Sequence, residues 1–168
     1  MDKADLGHEA EQVAILDKIN TALQKLGSTS KWIRPPDFFT EYESLRNKSI
    51  VMVDDVINVL ENYAPDLLVA TGGKAKFIHY NNETLDELVK KILAHNPDIV
   101  LLDYHLSRQL TGSQVAIALK KQFSGDVVGF SSDERTKTDF LEAGAKGCVD
   151  KGSATPEQTI QALGKLIV

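Results

Sequence analysis

The feature that most restricts the fold of this chain is a series of short apolar runs separated by helical patterns. "SIVMVDD" begins at Ser49, "KFIHY" at Lys76, "DIVLLD" at Asp98, "DVVGFSS" at Asp126 and "GCVDK" at Gly147. Unbroken apolar stretches such as Ile99 to Leu102 suit strands covered on both faces rather than strands with one wet side. Between the runs lie helical patterns: Leu85, Leu88, Val89 and Ile92, then "SQVAIALKKQF", "RTKTDFLEAGA" and "TPEQTIQALGKLI". Strands alternating with helices predict an α/β fold, a parallel sheet with right-handed crossovers and helices on both faces. The stretch "VINVLENYAPDLLVATGG" also has a helical pattern, but Pro65 interrupts it. The residues leave open one kinked helix or a second helix that starts at the proline.

The first 48 residues obey a different grammar. Val13, Leu16, Ile19, Leu23 and Leu26 recur at steps of three and four, which predicts an amphipathic helix over 10–26 ending near Gly27. "STSKWIRPP" reads as a linker, and Phe38 or Phe39, Tyr42 and Leu45 suit a second short helix. These helices either cover the main domain or form a surface for a partner or for a homodimer; the pattern permits both. The organisation is therefore a helical extension and linker over 1–48, followed by one domain over 49–168.

Composition removes several function classes. With 24 acidic residues against 19 basic ones, and no block of Lys and Arg, nucleic acid is not an expected partner. A single cysteine, Cys148, excludes an internal disulfide and a multi-cysteine zinc site, and it fits a reducing cytoplasm. "MDKADLGHEAEQ" is too polar for a signal peptide, and no apolar run reaches membrane-spanning length.

In an open parallel α/β sheet the functional crevice lies beyond the carboxyl ends of the strands. Asp54 and Asp55 end the first run, Asp103 the third, Ser131 and Ser132 the fourth, and Lys151 the fifth. An acid ending a buried apolar strand has no packing reason to be there. Three crowded carboxylates repel one another unless a cation joins them, and a hard ion with oxygen ligands such as Mg²⁺ suits a small open site. A lysine and a hydroxyl beside them would suit a dianion arriving at Asp103. The inferred chemistry is in-line phosphoryl transfer onto a carboxylate.

Each residue alone has a plainer reading. Asp54 and Asp55 could be a solvated strand end, Lys151 a surface lysine and Cys148 a small buried hydrophobe. Ser131 could cap a helix, although Ser132 or Asp133 suits that better. His79 and His95 have no partner pattern, and the surroundings of His8 in "GHEAEQ" do not support a phosphotransfer histidine. "ATGGKAK" lacks the spacing and hydroxyl of a P-loop, and His105 stands where an aspartyl-phosphate phosphatase would carry a second Asp. It is the acids, hydroxyl and lysine together on four strand ends that carry the argument.

With those positions in order, the chain from Ser49 to Val168 resembles the receiver (CheY-like) domain of two-component response regulators. "VMVDD" matches the acidic pair, "VLLDY" the phosphoacceptor strand, "VVGFSS" the Ser/Thr strand and "GCVDK" the lysine strand. The resemblance implies a three-layer, flavodoxin-like parallel sheet of five strands in order 2-1-3-4-5. It implies that Asp103 accepts a phosphoryl group from a histidine kinase or histidine phosphotransfer protein. Asp55, Asp103 and the backbone carbonyl of His105 would hold Mg²⁺, with Asp54 acting mainly through water. Ser131 would bond the phosphoryl group as the switch hydroxyl, and Lys151 would pair with a phosphoryl oxygen. His105 and Asp133 would tune the phosphoryl lifetime.

Three departures from that pattern stand out. Gly152 follows Lys151 where the family usually has Pro; Cys148 replaces the usual aromatic switch residue; and the loop after Asp103 lacks its usual Pro and is one residue longer before Gly112. The reading is a stand-alone, cytoplasmic response regulator that signals by protein–protein contact to an unknown downstream protein. It would not be a metabolic enzyme, but Mg²⁺-dependent self-phosphorylation and autodephosphorylation of an aspartate are expected. The alternative is a pseudo-receiver interaction module whose phosphorylation is vestigial.

Overall fold

The computed structural model describes residues 3–168, so the first two residues of the predicted extension lie outside the described residues. Five parallel strands form one sheet in the order β2-β1-β3-β4-β5. They are β1 (Ile50–Asp54), β2 (Ala75–His79), β3 (Ile99–Asp103), β4 (Asp126–Ser131) and β5 (Gly147–Asp150). The helices are α1 (Lys3–Lys25), α2 (Ile57–Ala70), α3 (Leu85–Leu93), α4 (Gly112–Lys120), α5 (Glu134–Glu142) and α6 (Pro156–Ile167). A short 3-10 helix, Thr40–Leu45, stands where a second N-terminal helix was expected. Among the described residues no helix is long and apolar enough to cross a membrane.

The alternation of side chains along each strand divides the interior into two cores. Ile50 and Met52, Ile99 and Leu101, Val128 and Phe130, and Val149 face α2 and α6. Val51 and Val53, Val100 and Leu102, and Val127 face α3, α4 and α5. β1 and β3 are buried along their whole length, as their unbroken apolar runs required.

Pro65 lies inside α2, which is continuous, so the ambiguity in the sequence resolves as a single helix. Proline's fixed φ is compatible with the helix; what it lacks is one donor to the preceding turn. Three of the later helices start in the same way. Thr84, Thr111 and Thr155 each cap the third helical amide while Glu87, Gln114 and Gln158 reach back to the cap.

The N-terminal segment packs on the α2/α6 side and adds an outer layer there. Ile19 and Leu23 of α1, and Tyr42 and Leu45 of the 3-10 helix, join the core on that side. Of the two readings of these helices, covering the main domain describes what these four residues do. α1 nevertheless runs well beyond its buried portion, and Val13 is 67% exposed. The linker is tied down by Asn20, whose side chain donates to the Trp32 carbonyl and accepts from the Trp32 N–H. At α6 the close approach depends on a glycine: a Cβ on Gly164 would collide with the Glu41 carbonyl oxygen.

Candidate functional site

The carboxyl ends of β1, β3, β4 and β5 are adjacent, and strand parity decides which of their side chains meet. Asp54 follows Ile50 and Met52, and Asp103 follows Ile99 and Leu101, so both point toward the α2/α6 side. Lys151 continues the alternation of Val149 one residue past β5 and reaches the same side. Its ammonium lies 2.6 Å from Asp54 Oδ2 and 3.0 Å from Asp103 Oδ1. Beneath it the Phe130 ring centroid is 5.2 Å from Nζ, a cation–π distance. Phe130 is supported in turn by Tyr63, edge-on at 4.9 Å, whose hydroxyl bonds Thr159 Oγ.

Asp55 completes the acidic cluster. A carboxylate oxygen from each of Asp54, Asp55 and Asp103 lies within 4.8 Å of the others, with Asp55 the most open of the three. Asp54 is fully buried and Asp103 nearly so. Asp54 Oδ1 accepts a 2.8 Å bond from the Val56 N–H, which leaves its other oxygen for Lys151. His79, at the end of β2 and paired in register with Asp54, places its Nε2 3.0 Å from the Asp55 carbonyl oxygen.

The charges do not balance. Burial, and then the neighbouring Asp54 charge, push the Asp103 carboxyl up to about 7. Burial also raises the Asp54 carboxyl, against the lowering effect of its bonds to Lys151 and Val56. Burial works against the Lys151 ammonium, but its bond to Asp54 and the Asp103 and Asp54 charges outweigh this and raise its pKa. One lysine thus shares two buried acids, with a third beside them. This is an all-oxygen, charge-deficient cluster of the kind that a hard divalent cation satisfies.

Ser131 is placed differently. It follows Val127 and Gly129 in β4, so it points to the α5 side. Its hydroxyl lies 2.7 Å from Thr136 Oγ and accepts from the Asp133 N–H at 3.2 Å. Asp133, not Ser132, caps α5: its carboxylate accepts from the Arg135 N–H and pairs with the Arg135 guanidinium, whose bonds hold its pKa low. Gly129 is where Phe140 of α5 lies against the sheet, and any Cβ there would collide with the ring.

The loop after β3 folds back by a bridge between His105 and Thr111, and the Gly112 N–H donates to the Tyr104 carbonyl. Gly112 packs so close to the Asp103 carbonyl that a side chain would not fit. The His105 ring is exposed, and the Tyr104 hydroxyl donates to Asp139 of α5 at 2.6 Å. Cys148 is half-buried on the wall of a cleft of about 380 Å³ shared with Ser131, Asp133, Lys137 and Asp150. Burial pushes its thiol up to about 11, so at neutral pH it is a protonated, unreactive group.

Of the residues predicted from sequence, Asp54, Asp55, Asp103 and Lys151 converge directly. Ser131, Asp133, His105 and Cys148 border them on the α5 side and the β3–α4 loop. His79, Phe130, Tyr104 and Thr136 went unrecognised in the sequence reading. Only His79 carried a signal, as a polar residue ending a strand beside the acidic one.

This architecture is that of solved response-regulator receiver domains. The chemotaxis response regulator CheY4 of Vibrio cholerae superimposes with a TM-score of 0.58 at 18% identity, covering 70% of this chain and 96% of that one. The receiver domain of NtrX from Brucella abortus gives 0.58 at 21% identity, covering 70% and 97%. The signal receiver domain of NarL from Mycobacterium tuberculosis gives 0.57 at 22% identity, covering 73% and 97%. No protein-family model matches the sequence, and no curated protein matches it. At these identities the likeness establishes the fold.

Proposed function

We propose that this chain works as a phosphorylatable receiver in a phosphorelay, with Asp103 as the phosphoacceptor. The observation that carries the reading is Lys151 bridging Asp54 and Asp103 at one edge of the sheet, with Asp55 beside them. Mg²⁺, held by Asp55, Asp103 and the His105 carbonyl with Asp54 acting through water, would neutralise the carboxylates and the charge that develops on the phosphoryl oxygens.

The chain's own groups then have separate tasks. A carboxylate oxygen of Asp103 forms the new O–P bond as the P–N bond of a donor phosphohistidine breaks, and the imidazole leaves with the electron pair. Lys151 stays ionised through its contacts with the acids and pairs with a phosphoryl oxygen once Asp103 carries the group. Ser131 donates a hydrogen bond to another phosphoryl oxygen. His105 and Asp133 flank the route of a hydrolytic water and set how long the acyl phosphate survives. The donor is a histidine kinase or a histidine phosphotransfer protein, and the output is contact with a downstream protein.

Intact mass after incubation with acetyl phosphate and Mg²⁺ tests this, with Asp103→Asn as control. Gain of one phosphoryl group in the wild type only supports the reading. Its absence under both acetyl phosphate and a phosphorylated histidine donor would leave the pseudo-receiver interaction module.

A further inference from the structure

Among the described residues, the hydroxyl of Tyr42 is the one buried side-chain polar atom without a hydrogen-bond partner. Tyr42 is fully buried in the 3-10 helix Thr40–Leu45, with the Phe38 and Phe39 rings edge-on to it at 5.7 and 5.4 Å. It belongs to the core on the α2/α6 side, and Ser44 ties the same segment to α6 by donating to the Gly164 carbonyl. The charges that act on the Tyr42 hydroxyl are all negative: Asp66 of α2 first, then Glu157 of α6, then Glu41 of the segment itself. Asp66 and Glu157 are both partly buried.

An orphaned hydroxyl among acids shows what the docked segment does to them. It takes water away and returns neither a cation nor a hydrogen bond. The Asp66 carboxylate has its own backbone N–H in its favour and the Glu157 charge against it. The basic side chains of this layer are committed elsewhere. Arg46 pairs with Glu43 at 3.2 Å and covers the Phe38 ring, and Lys18 lies against Gly73 beyond the end of α2. Among the described residues, Asp66 and Glu157 do not form part of a three-acid group that could hold a metal ion. The cation that suits this pair is a proton.

We infer that Asp66 is a proton-binding latch for the N-terminal segment: it takes up a proton as Thr40–Leu45 docks on α2 and α6, and releases it as the segment opens. The inference goes beyond the receiver reading and does not depend on Asp103. Burial first, and then Glu157, push the Asp66 carboxyl from 3.8 up to about 6 in the docked protein. A carboxyl raised by docking favours the docked form at low pH, and this advantage is lost as the pH rises through about 6. A group at about 6 when docked and at 3.8 when open holds the segment about tenfold more firmly at pH 5 than at pH 7.5. Opening uncovers the faces of α2 and α6 beneath Tyr42 and Leu45, so neutral pH exposes that surface and acid closes it.

The test is amide hydrogen exchange of the full chain at pH 5 and pH 7.5, read by mass spectrometry for peptides over 40–48. Each rate is divided by that of the unstructured peptide at the same pH, so that the ratio reports the opening equilibrium. Wild type, Asp66→Asn, Glu157→Gln and Asp103→Asn are compared. Amide spectra check the fold, and Asp66→Ala replaces Asp66→Asn if asparagine perturbs it. The expected result is protection about tenfold higher at pH 5 than at pH 7.5 in the wild type and in Asp103→Asn. Asp66→Asn should be equally protected at both pH values, and Glu157→Gln should show a smaller dependence than wild type. A wild-type change of less than about twofold overturns the inference. So does a full change that survives in the Asp66 variant, because another group would then carry it. Loss of the change in Asp103→Asn also overturns it, since the response would belong to the acids at the strand ends. None of these outcomes bears on phosphoryl transfer, which the mass measurement with acetyl phosphate tests separately.

Discussion

Asp103→Asn should make the metal-free protein more stable, and the size of the gain follows from the site. Asp103 is buried beside Asp54, and burial first, then that charge, raise its carboxyl from an ordinary 3.8 to about 7. Between those values the folded protein holds a proton that the unfolded chain releases. Stability therefore falls as the pH rises through this window and stays low above it. A rise of roughly three units converts to about 4 kcal/mol at 1.36 kcal/mol each. Because Asp54 shares the same lysine, part of that figure belongs to Asp54 and only about half is credited to Asp103. About 2 kcal/mol is the figure we assign to Asp103 itself, equivalent to roughly 4–8 °C in Tm for a chain of this size. Asparagine keeps the shape and an acceptor for Lys151 but carries no charge.

The assay is thermal unfolding by circular dichroism in EDTA at pH 8 and pH 5, then at pH 8 with Mg²⁺. The variant should melt higher at pH 8, the gap should shrink by more than half at pH 5, and Mg²⁺ should narrow it by stabilising the wild type. A variant no more stable than wild type at pH 8 in EDTA would refute the reasoning, as would a gap that widens toward pH 5. Either result would mean that Lys151 already satisfies both acids and that the cluster has no charge deficit for a cation to fill.

Other perturbations test the remaining parts of the site and its scaffold. Mg²⁺ affinity should fall as the pH drops below about 7, by up to about tenfold per unit as Asp103 takes up a proton; NMR titrations at pH 6 and pH 8 check this, and equal affinities would argue against Asp103 as a ligand. Lys151→Ala should leave Asp54 and Asp103 without their shared cation and abolish phosphoryl gain from acetyl phosphate, read by intact mass. His105→Ala and Asp133→Ala should each change the half-life of phosphorylated Asp103 in a quench time course, and an unchanged half-life in both would remove them from that role. Gly164→Val should force the Glu41 backbone off α6, at about 1–3 kcal/mol from overpacking, and open the Thr40–Leu45 segment, with its buried Tyr42 and Leu45, to limited proteolysis.

What the sequence disclosed, and what it withheld, both follow from how far a signal travels along the chain. A strand buried on both faces leaves an unbroken apolar run, so β1 and β3 and the acids that end them are visible without any structure. The starts of α3, α4 and α6 are also local, written as Thr with Glu or Gln three residues on. The fate of α2 at Pro65 was not local, because a proline in a helical pattern is decided by whether packing holds the helix through it. Docking of the N-terminal segment turns on Gly164, 123 residues after the Glu41 carbonyl it must admit, and no periodicity encodes such a pair.

Within the site the division is sharper. Parity alone puts Asp54, Asp103 and Lys151 on one side of the sheet and Ser131 on the other, so a sequence reading that brings four strand ends together does not yet bring their side chains together. Thr136, whose hydroxyl donates to Ser131, sits in the polar stretch "ERTKTD", where every residue reads as a solvated helix face. The acids announce the chemistry because burying charge is costly and needs a reason. A buried threonine hydroxyl costs little once it has a partner, so it leaves almost no trace in the sequence.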